Sequence, residues 1–191
     1  MMKRLNMAVL LIASAFVLGG CTNYAKQYDD NTLVVNKNGS LVEISVEDFK
    51  DSKVSADKLS AYIDEQIEAY NNDTGNVIKK KSIDTEDMSH VKLVIQYKDI
   101  ESYNGFNLLD YSIMDIGDVE ESDLTGSFTS ADDKKAGPSD IVALERGKIL
   151  TVSEATDIVI KGDILFYNGE VSVKDGVAVT SGKKDAIIVF K

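Results

Sequence analysis

"IVALERGKILTVSEATDIVIKGDILFYNGEVSVKDGVAVTSGKKDAIIVFK", residues 141–191, is a string of short apolar runs cut by turn residues. The runs IVAL, KILTV, DIVI, DILFY, EVSV, VAV and AIIVF are separated by ERG, SEAT, KG, NG, KDG and TSGKKD. Short β-branched runs at this spacing predict strands. Asn-Gly and Asp-Gly between apolar runs are hairpin chemistry, because both central residues of the tight turn take positive φ. The stretch therefore predicts a β-rich antiparallel part: a meander, a small sandwich or an open barrel. No internal repeat relates it to the first half.

Residues 117–140, "GDVEESDLTGSFTSADDKKAGPSD", break the pattern with few apolar residues and the single proline, Pro138. Long structureless loops are uncommon inside compact domains, so this stretch reads as a linker or long loop between subdomains, in which Phe128 marks a possible short strand.

The segment 32–116 mixes the two periodicities. Leu33 to Val35 and Leu41 to Val46 are β-rich and flank a turn holding Asn38-Gly39. In the second run Leu41, Glu43 and Ser45 alternate with Val42, Ile44 and Val46, which predicts one apolar face and one mostly wet face. "SADKLSAYIDEQIEAYNND" predicts a helix with Ser55 as N-cap and Asp57 in its first turn. Its stripe is Leu59, Ile63, Ile67 and Tyr70, and Asn71, Asn72 and Gly75 end it. Residues 76–84 read as an edge strand guarded by its lysines, and 90–97 as a strand with Val91, Leu93, Ile95 and Tyr97 on one face. A short helix follows from Asp99. The expected class is α+β: an N-terminal β-β-α-β-β unit, then the β-rich part.

The N-terminus opens with Met1, Met2, Lys3 and Arg4, runs apolar from Met7 to Leu18, and reaches small residues. That is the layout of a signal peptide, residues 1–20, and it is shorter than the roughly 20 apolar residues of a membrane span. Leu18-Gly19-Gly20-Cys21 resembles the lipobox of bacterial lipoproteins. The resemblance implies cleavage before Cys21, recognised through Leu18, Gly19 and Gly20, and a diacylglycerol or acyl lipid on the Cys21 sulfur. Residues 21–31 then read as a lipid-anchored tether. Its ten residues after Cys21, Thr22 to Asn31, reach roughly 30 Å when extended.

A wider resemblance runs through "EDF" at Glu47, "LSAYIDEQIEAYN", "YNGFN" from Tyr103 and the ending "IKGDILFYNGEVSVKDGVAVTSGKKDAIIVFK". These are similar to a set of uncharacterised lipoproteins from anaerobic Gram-positive bacteria. The similarity implies location and a mixed α/β build. It carries no activity.

Charge narrows the partners. The chain has 21 basic and 32 acidic residues, net −11; loss of Lys3 and Arg4 with the leader takes 21 to 19 and −11 to −13. Such a surface is repelled by nucleic-acid phosphates and by anionic headgroups, so membrane attachment is expected through the covalent lipid alone. One cysteine excludes an internal disulfide.

Few residues carry chemistry. His90 is the one histidine, which leaves no multi-histidine metal site; on its strand it alternates opposite the apolar set and reads as exposed. Cys21 lies outside the globular region and is no catalyst. Asp115, Asp118, Glu120, Glu121 and Asp123 form the densest carboxylate run, a weak calcium candidate without EF-hand spacing. "GVAVTSGKK", residues 176–184, puts its second glycine one place late for a phosphate loop, and its end reads as a hairpin turn. Carboxylate pairs for hydrolysis meet in space rather than in sequence, and the chain has no tryptophan to form a sugar platform. Tyr62, Tyr70, Tyr97, Tyr103 and Phe106 fit ordinary packing better than a groove.

The expectation is a lipid-anchored extracytoplasmic envelope protein, facing outside the cytoplasm, with a non-enzymatic binding or interaction role, no cofactor and no nucleic-acid partner. The alternatives are a small lipid-anchored solute-binding module for a peptide, glycan or ion, and a carboxylate-based hydrolase. A pocket with convergent polar groups favours the solute-binding form, a close acid pair the hydrolase, and a flat apolar patch a docking protein.

Overall fold

The structure, a computed structural model, describes residues 23–191; the leader, Leu18, Gly19, Gly20 and Cys21 lie outside the described residues. In chain order the elements are α1 (Tyr24–Gln27), β1 (Thr32–Val35), β2 (Leu41–Glu47), α2 (Ala56–Thr74), β3 (Ile78–Asp84), β4 (Val91–Tyr97), α3 (Ile100–Asn107) and β5 (Ser112–Asp115). Two 3₁₀ turns, Ile116–Asp118 and Glu121–Asp123, lead to β6 (Phe128–Ser130), β7 (Lys135–Ala136) and α4 (Pro138–Val142). The chain finishes with β8 (Lys148–Val152), β9 (Asp157–Ile160), β10 (Ile164–Asn168), β11 (Val171–Lys174), β12 (Val177–Thr180) and β13 (Ala186–Phe190). The class is α+β.

The N-terminal unit is β-β-α-β-β as its periodicity predicts. Gly39 sits at φ 84° in the β1–β2 turn, and the Asn38 side chain accepts from the Ser40 N–H at 3.1 Å and from its hydroxyl at 2.8 Å. Ser55 caps α2, accepting from the Lys58 N–H at 3.4 Å. At the other end Gly75 takes φ 87°, a backbone that side chains resist. The Asn71 side chain then stitches the helix to β3, accepting from the Val77 and Ile78 N–H groups at 3.1 and 3.0 Å and donating to the Ile78 carbonyl at 2.9 Å. Leu59 and Ile67 are buried, whereas Tyr62 is exposed. β3 is an edge strand, tied to α2 by Lys80, which reaches Asp64 at 2.6 Å.

The strands form a seven-stranded sheet, β11-β12-β9-β1-β2-β4-β3, and a six-stranded sheet, β5-β8-β13-β10-β6-β7. Of the expected arrangements the sandwich is the one realised. Successive C-terminal strands cross between the sheets: β8, β10 and β13 lie in the second, β9, β11 and β12 in the first. Strands such as β13 are buried along their whole length, so each needs cover on both faces and takes its neighbours from distant parts of the chain. Only Asp175-Gly176, at φ 52° and 80°, makes a C-terminal hairpin, joining β11 to β12. Asn168-Gly169 and the 181–185 turn instead pass the chain from one sheet to the other. Asn168 uses its side chain there, donating to the Asp185 carbonyl at 2.8 Å and accepting from the Ile187 N–H at 3.1 Å.

IVAL is a further correction, because its start belongs to α4. Pro138 stands in the first turn, and the Asp140 carboxylate accepts from the Gly137 N–H at 2.8 Å. These helix-start signals override the β-branched content.

The expected linker is a packed layer. Val119, Leu124 and Phe128 are buried with Ile116 and Ile141 against the outer face of the second sheet, and Phe128 starts the expected short strand. A few well-placed apolar residues suffice to seat a polar stretch. Nor are 32–116 and 141–191 separate subdomains: β1 pairs with β9 in parallel, and one core takes side chains from both segments.

The tether is likewise docked from Tyr24 onward. Tyr24, Ala25 and Tyr28 pack on the first sheet's outer face over Val34, Val42, Ile44, Val94 and Val159. Lys92, whose face was expected to be wet, is buried beneath this strap. Its ammonium donates to the carbonyls of Ala25 and Tyr28, each at 3.0 Å, and to the Asp29 carboxylate at 2.6 Å. Among the described residues no helix is long and apolar enough to cross a membrane.

Candidate functional site

A cleft of about 330 Å³ opens where β1, β2, the end of α3 and the β8–β9 loop meet. Its polar walls are Asn31, Glu43, Glu47, Tyr103, Asn107, Tyr111, Glu154 and Thr156. A second concavity, a dent of about 70 Å³ beside Phe49, Leu59 and Ile63, is apolar and below the size that holds a small molecule.

Register delivers Glu43 to the cleft. It pairs with Leu33 on β1 and Ile95 on β4, so it shares the inward face with Leu41 and Tyr97. The Tyr97 ring is fully buried, and its hydroxyl donates to the Glu43 carboxylate at 2.6 Å. The Asn107 amide donates to the Tyr97 oxygen at 3.1 Å and reaches Glu43 at 3.5 Å. Burial raises the Glu43 carboxyl above its ordinary value, while the hydrogen bonds from Tyr97, Asn107 and Ser45 pull it back. The same burial, with the Glu43 charge, holds the Tyr97 phenol far above its usual range.

α3 positions the next groups. Asp99 caps it, accepting from the Ser102 N–H at 2.9 Å, and the helix stops at Leu108, a non-glycine residue at φ 58° and ψ 41°. That conformation costs about 1–2 kcal/mol, and it turns the chain back sharply so that Asn104 can clasp the Tyr111 backbone. Asn104 donates to the Tyr111 carbonyl at 2.6 Å and accepts from its N–H at 3.0 Å. Tyr97, Tyr103 and Tyr111 then form an aromatic row, with ring centroids 5.0 Å and 5.7 Å apart.

Tyr103 and Tyr111 are 5% and 4% exposed. No described residue gives either hydroxyl a hydrogen bond, yet among the described residues no fully buried side-chain polar atom lacks a partner. Both hydroxyls therefore open into the cleft. Burial raises both phenols, Tyr111 to about 12, with Glu43 and Glu154 adding to the effect. At neutral pH both remain protonated.

Glu154 comes from the β8–β9 loop, which β12 anchors. The Thr180 hydroxyl donates to the Glu154 carbonyl at 2.5 Å and accepts from the Thr156 N–H at 2.9 Å. Gly182, at φ 65°, packs against Ala155; a Cβ there would stand 2.6 Å from the Ala155 nitrogen.

The residues singled out from sequence lie elsewhere or play other parts. Asp115 is exposed and pairs with Lys148 at 2.7 Å, while Asp123 accepts from the Glu120 N–H at 2.9 Å. Asp118, Glu120 and Glu121 are exposed on the 3₁₀ turns, and among the described residues no group of three or more such side chains is placed to hold a metal. His90 is exposed just before β4. Of the aromatic residues weighed for a groove, Tyr103 lines the cleft, whereas Tyr70, Tyr97 and Phe106 pack in the core. Glu43, Asn107, Tyr111 and Glu154 escaped notice. The only signal was Glu43 standing between apolar neighbours, and alternation assigned it to the wet face. No family model, curated protein or solved structure shows significant similarity to the chain.

Proposed function

We propose that this protein is a lipid-anchored, extracytoplasmic envelope protein with a non-enzymatic role, and that the role is solute binding in the Glu43–Glu154 cleft. The observation that carries the binding reading is the pair of nearly buried tyrosines whose hydroxyls find no partner among the described residues and face a cavity of ligand size. Buried polar groups are almost always hydrogen-bonded, so two unengaged hydroxyls side by side are sites for solvent or for a solute. Glu43 already accepts from Tyr97 and Asn107, an arrangement that suits recognition better than nucleophilic attack.

The basic start, the apolar run and the lipobox resemblance at Leu18, Gly19, Gly20 and Cys21 support the anchor. With the strap docked from Tyr24, only Thr22 and Asn23 separate it from Cys21, so the anchor would hold the domain within roughly 10 Å of the headgroups. Two acyl chains suffice for a stable hold where one is marginal.

The anchor is tested by Cys21→Ser with membrane fractionation and labelling by radioactive palmitate. The wild type should sediment with membranes and carry label. A variant that retains both would refute the anchor. Crosslinking in the native envelope tests the role, and recovery of transporter subunits would tie the cleft to solute capture.

A further inference from the structure

We infer that the cleft receives a small organic cation, its ammonium group seated between the carboxylates of Glu43 and Glu154 against the hydroxyls of Tyr103 and Tyr111. This rests on the solute-binding reading and adds the chemical class of the solute.

Among the described residues, acceptors outnumber donors in the groups that remain unengaged. Asn107 commits its amide N–H₂ to Tyr97 and Glu43, which leaves its carbonyl oxygen available. The hydrogen bonds from Tyr97 and Asn107 go to Glu43 Oε2, which leaves Oε1 with no described donor besides Ser45. The carboxylates of Glu47 and Glu154 add further acceptors, and among the described residues no Lys, Arg or His lines the cleft. An ammonium carries three donors and no acceptor, so it complements this inventory. An anion would be repelled. A neutral polyol would find few side-chain donors for its oxygens beyond the two phenols and the Asn31 amide. A volume of about 330 Å³ suits a diamine or an amino-acid-sized molecule rather than a polymer.

The test titrates the full chain, purified in a neutral detergent, with 1,4-diaminobutane and with 1,4-butanediol at low salt. Calorimetry gives affinity, and amide chemical shifts give location. The diamine should bind with a Kd below about 1 mM and shift residues 103–111 and 154–156, while the diol should bind at least tenfold more weakly. Glu154→Gln, an exposed loop substitution that spares the core, should weaken the diamine roughly tenfold. Tyr103→Phe, which keeps the ring, should weaken it severalfold. Equal binding of the diol in the cleft would overturn the cationic class yet leave the cleft a binding site. An equal response to magnesium chloride at matched ionic strength would reduce the effect to screening of acidic surface and overturn the inference. Absence of any shift at these residues would overturn the inference together with the cleft reading, which leaves the anchor to its own test.

Discussion

Replacing Tyr97 with phenylalanine deletes one oxygen from the core beneath the cleft and leaves the ring in place. That oxygen donates to the Glu43 carboxylate at 2.6 Å and accepts from Asn107 at 3.1 Å. A hydrogen bond to an ionised group contributes about 1.5–3 kcal/mol and a neutral one about 1 kcal/mol. Glu43 borders the cleft, so water replaces part of the loss, and the expected cost near pH 7.5 is about 2–3 kcal/mol. For a chain of this size that lowers Tm by roughly 4–12 °C.

The cost should depend on pH in one direction. Glu43 is raised above its ordinary 4.5 by burial. The stability tied to such a group is fully present below the ordinary value and is lost as pH rises through the folded-state value. Tyr97 moderates that loss by hydrogen-bonding the charged form, and Tyr97→Phe pushes Glu43 higher still. The gap between wild type and variant should therefore open as pH climbs and shrink toward about 1 kcal/mol below pH 4, where only a neutral hydrogen bond is missing. Urea unfolding of the purified full chain between pH 4 and 8 measures it. A gap under about 0.5 kcal/mol at pH 7.5, or one that stays flat with pH, would refute the claim that Tyr97 holds a charged Glu43.

Two further substitutions test the supports of the site. Lys92→Met keeps the buried stem but removes the ammonium from the carbonyls of Ala25 and Tyr28; it should cost about 2 kcal/mol, and amide exchange at residues 24–28 should rise at least tenfold while β4 stays protected. Unchanged exchange would mean that apolar packing alone holds the strap. Gly182→Ala places a side chain at φ 65° against the Ala155 nitrogen; a loss of about 2 kcal/mol is expected from the strained backbone and the close contact, with chemical-shift changes centred on residues 154–156. A neutral effect would show that the β8–β9 loop shifts freely and does not fix Glu154.

Much of the fold was legible because it is written locally. Ser55, Asn38-Gly39, Asp175-Gly176 and the stripe on α2 act through their own neighbours, and each is found where its chemistry puts it. Cover was not legible. Alternation along β2 and β4 shows two faces but not that both are buried, one by α2 and α3 and the other by the strap over Lys92. The polar stretch 117–140 hid a layer because Val119, Leu124 and Phe128 are spaced too irregularly to announce a strand or a helix. The cleft was unreadable for the same reason at longer range. Glu43, Tyr103, Asn107, Tyr111 and Glu154 share no motif and meet only when β1 takes its place beside both β2 and β9.

The parallel pairing of β1 with β9 also sets an order of events. Thr32 lies beside Asp157, so the first strand to leave the ribosome cannot complete its ladder until nearly the whole chain has followed. Parallel pairing across so much sequence is slow to form, because the loop it closes must be ordered before the contacts repay it. A nascent N-terminal half can pair β1, β2, β4 and β3, but it should linger without β9, β12 and β11, half its cleft and the core it shares with β8 and β13. On the proposal that residues 1–20 form an export leader, that delay would be an asset: a translocation channel would meet a chain whose sheets are incomplete, and the cleft would come into being only after the last strand had crossed.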